Sequence, residues 1–231
     1  QVRQLWGQFD QDYFLRNSPE ALAWHATLLL ERRAAEFPLI DIRNDSPSGT
    51  ARFLFCCPDS EDLLCRVTAG LERLNLNIVD ARVHRLSSNL VIMTFVILTT
   101  QHETAKQFEL DGAVERLRAN LLARNWELPE RRGRVPRALK HFPIETTVRF
   151  SDTEGQDGPT VMEVVAQDRP GLLLQVAKAL LSCKIHLANA KVGTFGARAE
   201  DIFYVTDRDG LPVTDTAQRE LIADRIRSAL P

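Results

Sequence analysis

The sequence predicts an α+β protein built by tandem duplication, on two observations. A weak repeat recurs at an offset of 109 residues, and within each copy the apolar residues switch from strand spacing to helix spacing and back. Asp59 opens DSEDLL and Asp168 opens DRPGLL; the same offset carries Leu76 to Ile185, Ile78 to Leu187, Ala81 to Ala190 and Val83 to Val192. Phe95 then maps to Phe203 at an offset of 108, so one residue is lost in the intervening hairpin. Upstream, Phe37-Pro38-Leu39-Ile40 echoes Phe142-Pro143-Ile144-Glu145.

Each copy begins with a strand, Thr50 to Cys57 or Thr160 to Ala166, followed by a short turn. A helix is predicted next, because Leu63, Leu64, Val67, Leu71 and Leu74 recur at the spacing of one buried helical face. Leu172, Leu173, Val176, Leu180 and Leu181 do the same in the second copy. Two strands follow, Leu76 to Leu86 with Leu90 to Leu98, and Lys184 to Thr194 with Glu200 to Thr206. Ser87-Ser88-Asn89 and Gly193 to Ala197 supply the hairpin turns. A second helix closes each copy, Glu103 to Arg124 and Thr216 to Leu230. Strand–helix–strand–strand–helix with one further strand is the ferredoxin-like (βαββαβ) plan, with antiparallel sheets.

The domain boundaries follow: a helical connector over 1–36, a first repeat over 37–128, a linker over 129–141 and a second repeat over 142–231. The Phe142 to Ser151 segment is expected to close the first sheet. By symmetry, Phe37 to Arg43 is then expected to join the second sheet and interlock the two domains. A strand lost beyond Pro231 is the competing explanation. Residues 1–36 carry Trp6, Phe9, Tyr13, Phe14 and Trp24. They form either a docking face for a part not included here or a layer packed on the repeats.

Bulk properties narrow the function. Net charge is −2 and the basic linker PERRGRVPRALK has no interleaved aromatics, so no nucleic-acid partner is expected. No apolar run approaches the roughly 20 residues that cross a bilayer, so no membrane partner is expected either. Cys56, Cys57, Cys65 and Cys183 lack a C-x-x-C spacing and read as reduced thiols of a cytoplasmic protein. Histidines 25, 84, 102, 141 and 186 lack metal-ligand spacing. With Gln1 first, the chain reads as a piece of a longer protein.

One motif carries chemistry, Asp168-Arg169-Pro170-Gly171-Leu172-Leu173. Proline suits a turn or a first helical position, glycine allows positive φ, and Asp168 is placed to cap the helix that follows. A helix start with outward amides favours a carboxylate by roughly 0.3–1 kcal/mol, which suits an amino acid's α-carboxylate. Asp168 or the amide oxygen of Asn189 could then accept from the α-ammonium. A well-made turn with a cap and no ligand is the alternative.

The strand, DRPGLL, amphipathic helix and HLANAKVGT strand resemble an ACT domain. With DYFLRNSPEALAWHATLL upstream and AEDIFYVTDRDGLPV downstream, the chain resembles the C-terminal region of the bacterial bifunctional uridylyltransferase/uridylyl-removing enzymes that act on signal protein PII. The resemblance implies two ACT domains forming an allosteric, glutamine-sensing tail, with PII as the protein partner through the parent enzyme and cytoplasmic nitrogen regulation as the setting. It further implies that nucleotidyltransferase and phosphodiester hydrolase chemistry, and the magnesium it uses, lie upstream. This fragment is then expected to be catalytically silent, without a cofactor or metal. ACT pairing, within the chain or between copies in a homo-oligomer, is also implied. The other reading is a sensor of a different amino acid attached to a different metabolic enzyme.

The first copy departs from the pattern. Its turn reads Pro58-Asp59-Ser60-Glu61-Asp62-Leu63, with Glu61-Asp62 where Pro-Gly is expected. Met93 stands opposite Asp201 and Asp80 opposite Asn189 in the repeat. Two acids repel a substrate carboxylate, so ligand binding is expected at Asp168, Arg169, Pro170, Gly171, Leu172 and Asn189 of the second copy.

Overall fold

In the computed structural model the described residues are 1–9, 11–31, 37–45, 50–74, 76–98, 106–129, 144–152 and 158–230. Three helices lead: α1 (Val2–Trp6), α2 (Gln11–Arg16) and α3 (Pro19–Glu31). The first unit follows as β1 (Leu39–Asp45), β2 (Thr50–Pro58), α4 (Leu63–Arg73), β3 (Asn77–Arg85), β4 (Leu90–Leu98) and α5 (Lys106–Leu122). The second is β5 (Thr147–Ser151), β6 (Thr160–Gln167), α6 (Leu172–Ser182), β7 (His186–Lys191), β8 (Thr194–Phe195), β9 (Arg198–Thr206) and α7 (Thr216–Ala229). The short β8 is an addition to the expected elements; it folds back on β9 through Thr194↔Ala199 and Phe195↔Arg198. The basic linker from residue 130 onward, and with it His141, lies outside the described residues, as does His102.

The strands form one antiparallel sheet in the order β1-β2-β4-β3-β7-β9-β6-β5. Within each half this is the ferredoxin-like arrangement, and the α+β class stands. The expected strand exchange does not. β1 pairs with β2 of its own unit, from Leu39↔Cys56 to Asp45↔Thr50. β5 pairs with β6 of its own unit, from Thr147↔Val165 to Ser151↔Val161. Each unit therefore takes its edge strand from upstream and runs ββαββα. The edge strand occupies the place of the last strand in the βαββαβ order, so neither unit lacks one. Local hairpin pairing closes a short loop, whereas exchange must close loops of roughly a hundred residues, and closure entropy favours the shorter loop.

The two units meet edge to edge where β3 pairs with β7 through Asp80↔Lys191, Ala81↔Ala190 and Arg82↔Asn189. The 109-residue offset maps the central pair onto itself and exchanges the two outer pairs, so a pseudo-two-fold axis passes between Ala81 and Ala190. Both alanines are fully buried. Helices α4 and α6 lie side by side over this seam, packing Cys65, Ala69, Leu174 and Ala177 together. Arg66 borders this contact, bound to Asp62 at 2.7 Å and set over the Trp126 ring.

β2 is buried on both faces. Phe53, Phe55 and Cys57 point into the main core under the helices, while Leu54 and Cys56 point to a second cluster with Trp24, Leu86 and Ile92. The unbroken apolar run of this strand reflects that double burial. The second cluster is covered by the leading helices, so their aromatics are at least in part a layer packed on the first repeat. Trp24 donates its indole N–H to Asp41 at 2.7 Å, and Phe9 stacks on Tyr13 at 3.9 Å. Buried Tyr13 shares a 2.7 Å hydrogen bond with His25 Nδ1 and meets the His84 ring edge-on. All four cysteines are free thiols.

Two measurements check this packing. Leu174→Ala leaves a void at the α4–α6 contact and should cost about 2–5 kcal/mol of unfolding free energy in denaturant titration; a loss below 1 kcal/mol would mean that the contact is loose. The second concerns acid. Burial, with the neighbouring His84, Arg43 and Arg82 adding to it, holds His25 down to about 4 from its ordinary 6.5. A depressed histidine contributes stability above pH 6.5 that is lost as pH falls through about 4. Trp24 fluorescence should therefore report undocking of the leading helices in that window. Replacing both bonded partners, Tyr13→Phe with His25→Phe, should flatten the transition, and identical profiles for the two proteins would refute the assignment.

Candidate functional site

Turn, helix start and seam converge on one cleft of about 420 Å³. The second unit supplies Asp168 to Leu174 together with Val192, Thr194, Ala199 and Asp201; the first supplies Thr68 and Glu72 from α4, with Leu76 and Ile78. Such a volume accommodates a small metabolite. Because its walls come from both units, the cleft depends on the β3–β7 pairing.

The DRPG turn forms with Gly171 at φ +79°, a conformation that glycine adopts without strain. Gly171 itself is the N-cap of α6 and, as a glycine, has no side chain with which to cap the helix. Asp168 does not cap as expected: its backbone N–H is tied to Ala197 O at 2.9 Å. The left-handed glycine turns the chain before the helix starts, which removes the aspartate from capping distance and leaves it on the cleft wall. The Leu172 N–H closes back on Arg169 O at 3.3 Å, and the turn itself supplies no side-chain acceptor to the amides that follow. Arg169 is buried and donates to Ala229 O at 3.4 Å, anchoring the turn to α7. Pro170 is exposed at the rim.

Asn189 is the predicted residue that the cleft does not include. Along β7, Leu187 points into the core, and regular alternation would put Asn189 beside it. A β-bulge between Leu187 and Asn189 shifts the parity by one. Ala190 then joins Leu187 in the core, and Asn189 turns to the opposite face, paired with Tyr204 and with Arg82. The same bulge occurs between Ile78 and Asp80 in β3, which puts Asp80 on that face too.

The buried acceptor that the structure brings to the cleft instead is Asp201. It alternates with Ala199, Phe203 and Val205 on the buried face of β9 and is 1% exposed. One carboxylate oxygen accepts from Gly193 N–H at 3.2 Å, and the other has no partner among the described residues. Burial raises its pKa to about 7; the Gly193 bond opposes the shift and the nearby Asp168 adds to it. An acid at an inward strand position, opposite Met93 in the repeat, was the sequence signal. Glu72 and Thr68 carry no such signal, because their place in the cleft wall depends on how the units dock.

The pseudo-two-fold generates a second cleft, lined by Asp59, Ser60, Glu61, Met93, Ala177 and Leu181 among others. Each stands at the repeat position of a residue in the first cleft: Met93 for Asp201, Ala177 for Thr68, Leu181 for Glu72. Its volume is only about 30 Å³, room for little more than a water molecule. Apolar side chains fill it where the other site has polar ones.

Residues 1–28 match the family described as "Uridylyltransferase GlnD fifth domain", and residues 40–118 match "Plant bHLH transcription factor, ACT-like domain". The bifunctional uridylyltransferase/uridylyl-removing enzyme of Pseudomonas fluorescens strain SBW25 is 36% identical over 97% of this chain and 25% of its own length. That of Stutzerimonas stutzeri strain A1501 is 37% identical over 93% of this chain and 24% of its length. The chain belongs with the C-terminal part of this enzyme family. It spans about a quarter of the length of these relatives. An aspartate kinase chain from Synechocystis superposes on 75% of this chain, covering 26% of its own, with a TM-score of 0.43 and 18% identity. That likeness is too distant to add to the strand order above. Among the described residues no group of three or more His, Cys, Asp or Glu side chains converges as a metal site, and no helix is long and apolar enough to cross a membrane.

Asp201 makes a pH prediction. Its folded-state pKa of about 7 lies above the ordinary 3.8, so the folded chain holds an extra proton between those values. Its stabilising contribution is complete below about 3.8 and is lost as pH rises through about 7. Asp201→Asn removes the titration, so the variant's melting temperature relative to wild type should be higher at pH 8.5 than at pH 5.5. A constant difference across that range would contradict it.

Proposed function

We propose that this cleft binds a free amino acid, glutamine, and that the chain is the allosteric sensing tail of a bifunctional uridylyltransferase/uridylyl-removing enzyme. Binding would bias attachment of UMP to PII against its removal. The observation that carries the reading is the buried oxygen of Asp201, without a partner among the described residues, in the same cleft as the glycine-capped start of α6. An α-amino acid presents both complements: a carboxylate for the helix amides and an ammonium for Asp201, with Asp168 at the same wall. A bound ammonium favours the ionised form of Asp201, so the site gains its countercharge on binding. The relatives' enzyme name supplies the chemistry being regulated. Transfer and removal, with the magnesium they use, belong in this reading to the parts of such an enzyme that this chain does not cover.

The tail must couple two arrangements of the parent enzyme by about 1–3 kcal/mol for a several-fold to hundredfold effect on rate. Calorimetric titration of the folded chain should show one glutamine site. Asp201→Ala should weaken it at least tenfold, since a charged hydrogen bond contributes about 1.5–3 kcal/mol. Serine, phenylalanine and the branched-chain amino acids serve as competitors. Tighter binding of one of them would assign the sensor to a different ligand, and no heat from any at millimolar concentration would end the amino-acid reading.

A further inference from the structure

The amino end of α6 already faces a carboxylate, and it comes from the other unit. A β-carbon built on Gly171 would lie 2.7 Å from the carboxyl carbon of Glu72 and 3.0 Å from one of its oxygens. Glu72 sits near the end of α4, across the seam, and its head group reaches the turn only because Gly171 has no side chain. The arrangement is peculiar to this cleft. At the matching positions of the small cleft the glycine is Asp62 and the glutamate is Leu181. A glutamate there would meet Asp62 and Glu61, whereas here it meets a turn whose N-cap glycine carries no side chain. Acid and glycine thus differ together between the two sites.

Resting on the amino-acid reading above, we propose that Glu72 is a tethered occupant of the ligand-carboxylate position, which an incoming amino acid must displace. The first repeat, whose own cleft is filled, would then set the affinity of the second. The physical basis is that a carboxylate at a helix start is favoured whichever molecule carries it. A site held by an internal carboxylate for part of the time has its apparent affinity reduced by the unoccupied fraction. Displacement also frees a side chain on α4, so that binding is felt by both units and not by the second alone. The buried Asp201 oxygen is independent of this contact and remains the ammonium partner.

The test uses the full chain as wild type, Glu72→Gln and Glu72→Ala, with circular dichroism to confirm that all three are folded. Glutamine should bind about two- to fivefold more tightly to both variants, the range expected for one carboxylate at a helix start. Sodium acetate at 100 mM, against chloride at equal ionic strength, should raise the melting temperature of Glu72→Ala and leave wild type unchanged. Unchanged or weaker glutamine binding in Glu72→Ala would overturn the proposal; weaker binding would make Glu72 a contact of the ligand's ammonium instead. If glutamine binds none of the three proteins, the sensing reading fails and the acetate arm still decides: protection confined to the variant supports tethered occupancy, and equal response in wild type and variant overturns it.

Discussion

The pairing of β3 with β7 around Ala81 and Ala190 is the constraint on which the rest of the molecule depends. Two half-sheets that share an edge lose two exposed strand edges, which would otherwise present unpaired amides and carbonyls. A methyl group on each side of the axis lets the backbones close without crowding either core. Once the edges are joined, α4 and α6 have no freedom to lie apart, and Cys65, Ala69, Leu174 and Ala177 fill the line between them. The clefts are consequences of that docking, since each lies between the helix start of one unit and the helix end of the other.

Symmetry would make the two clefts alike, and the side chains make them unlike. Filling a cavity with Met93 and Leu181 stabilises the fold through burial. Leaving Asp201 in the equivalent position costs stability, because its second oxygen is removed from water without a partner among the described residues. The fold tolerates this cost at one of two equivalent positions and avoids it at the other, which fits the proposed division between a binding and a structural repeat. Groups with perturbed ionisation inside a cleft are the usual mark of such duty. Gly171 belongs to the same division of labour: its left-handed turn holds the helix start open, where Asp62 in the first copy adds a negative charge.

Much of this was legible in the residues because duplication supplies an internal comparison. The offset of 109 predicted the equivalence of Ala81 and Ala190 before any pairing was visible, and the loss of Pro-Gly in the first turn singled out the second. What remained illegible was non-periodic or relational. The bulges at equivalent places in β3 and β7 reverse the parity of every residue beyond them, and nothing in the residue pattern marks that Asn189 leaves the face of Leu187. The spare strands were assigned by a symmetry argument that neglected loop closure, when each had a nearer partner in sequence. Asp168 resembled a cap because one-dimensional spacing does not reveal that a positive-φ glycine stands between it and the helix. Glu72 had no signal because α4 reads as an ordinary amphipathic helix until its end is set against another unit's turn.

The leading helices complete the constraint from the opposite face. Arg82 of β3 donates to the carbonyl of Arg16, while the Arg16 guanidinium lies over the Tyr204 ring of β9, 5.1 Å from its centre. One residue of the leading segment therefore touches both units, directly behind the seam. Tyr13 and Asn17 add contacts to His84 on the first unit. A rotation of one unit against the other about the β3–β7 line would open or close the cleft on the helical face. The same rotation would separate Arg82 from Tyr204 on the other face, and Arg16 cannot follow both. The cleft and the leading segment are thus two readings of one angle, and the few residues paired at the seam are what hold it.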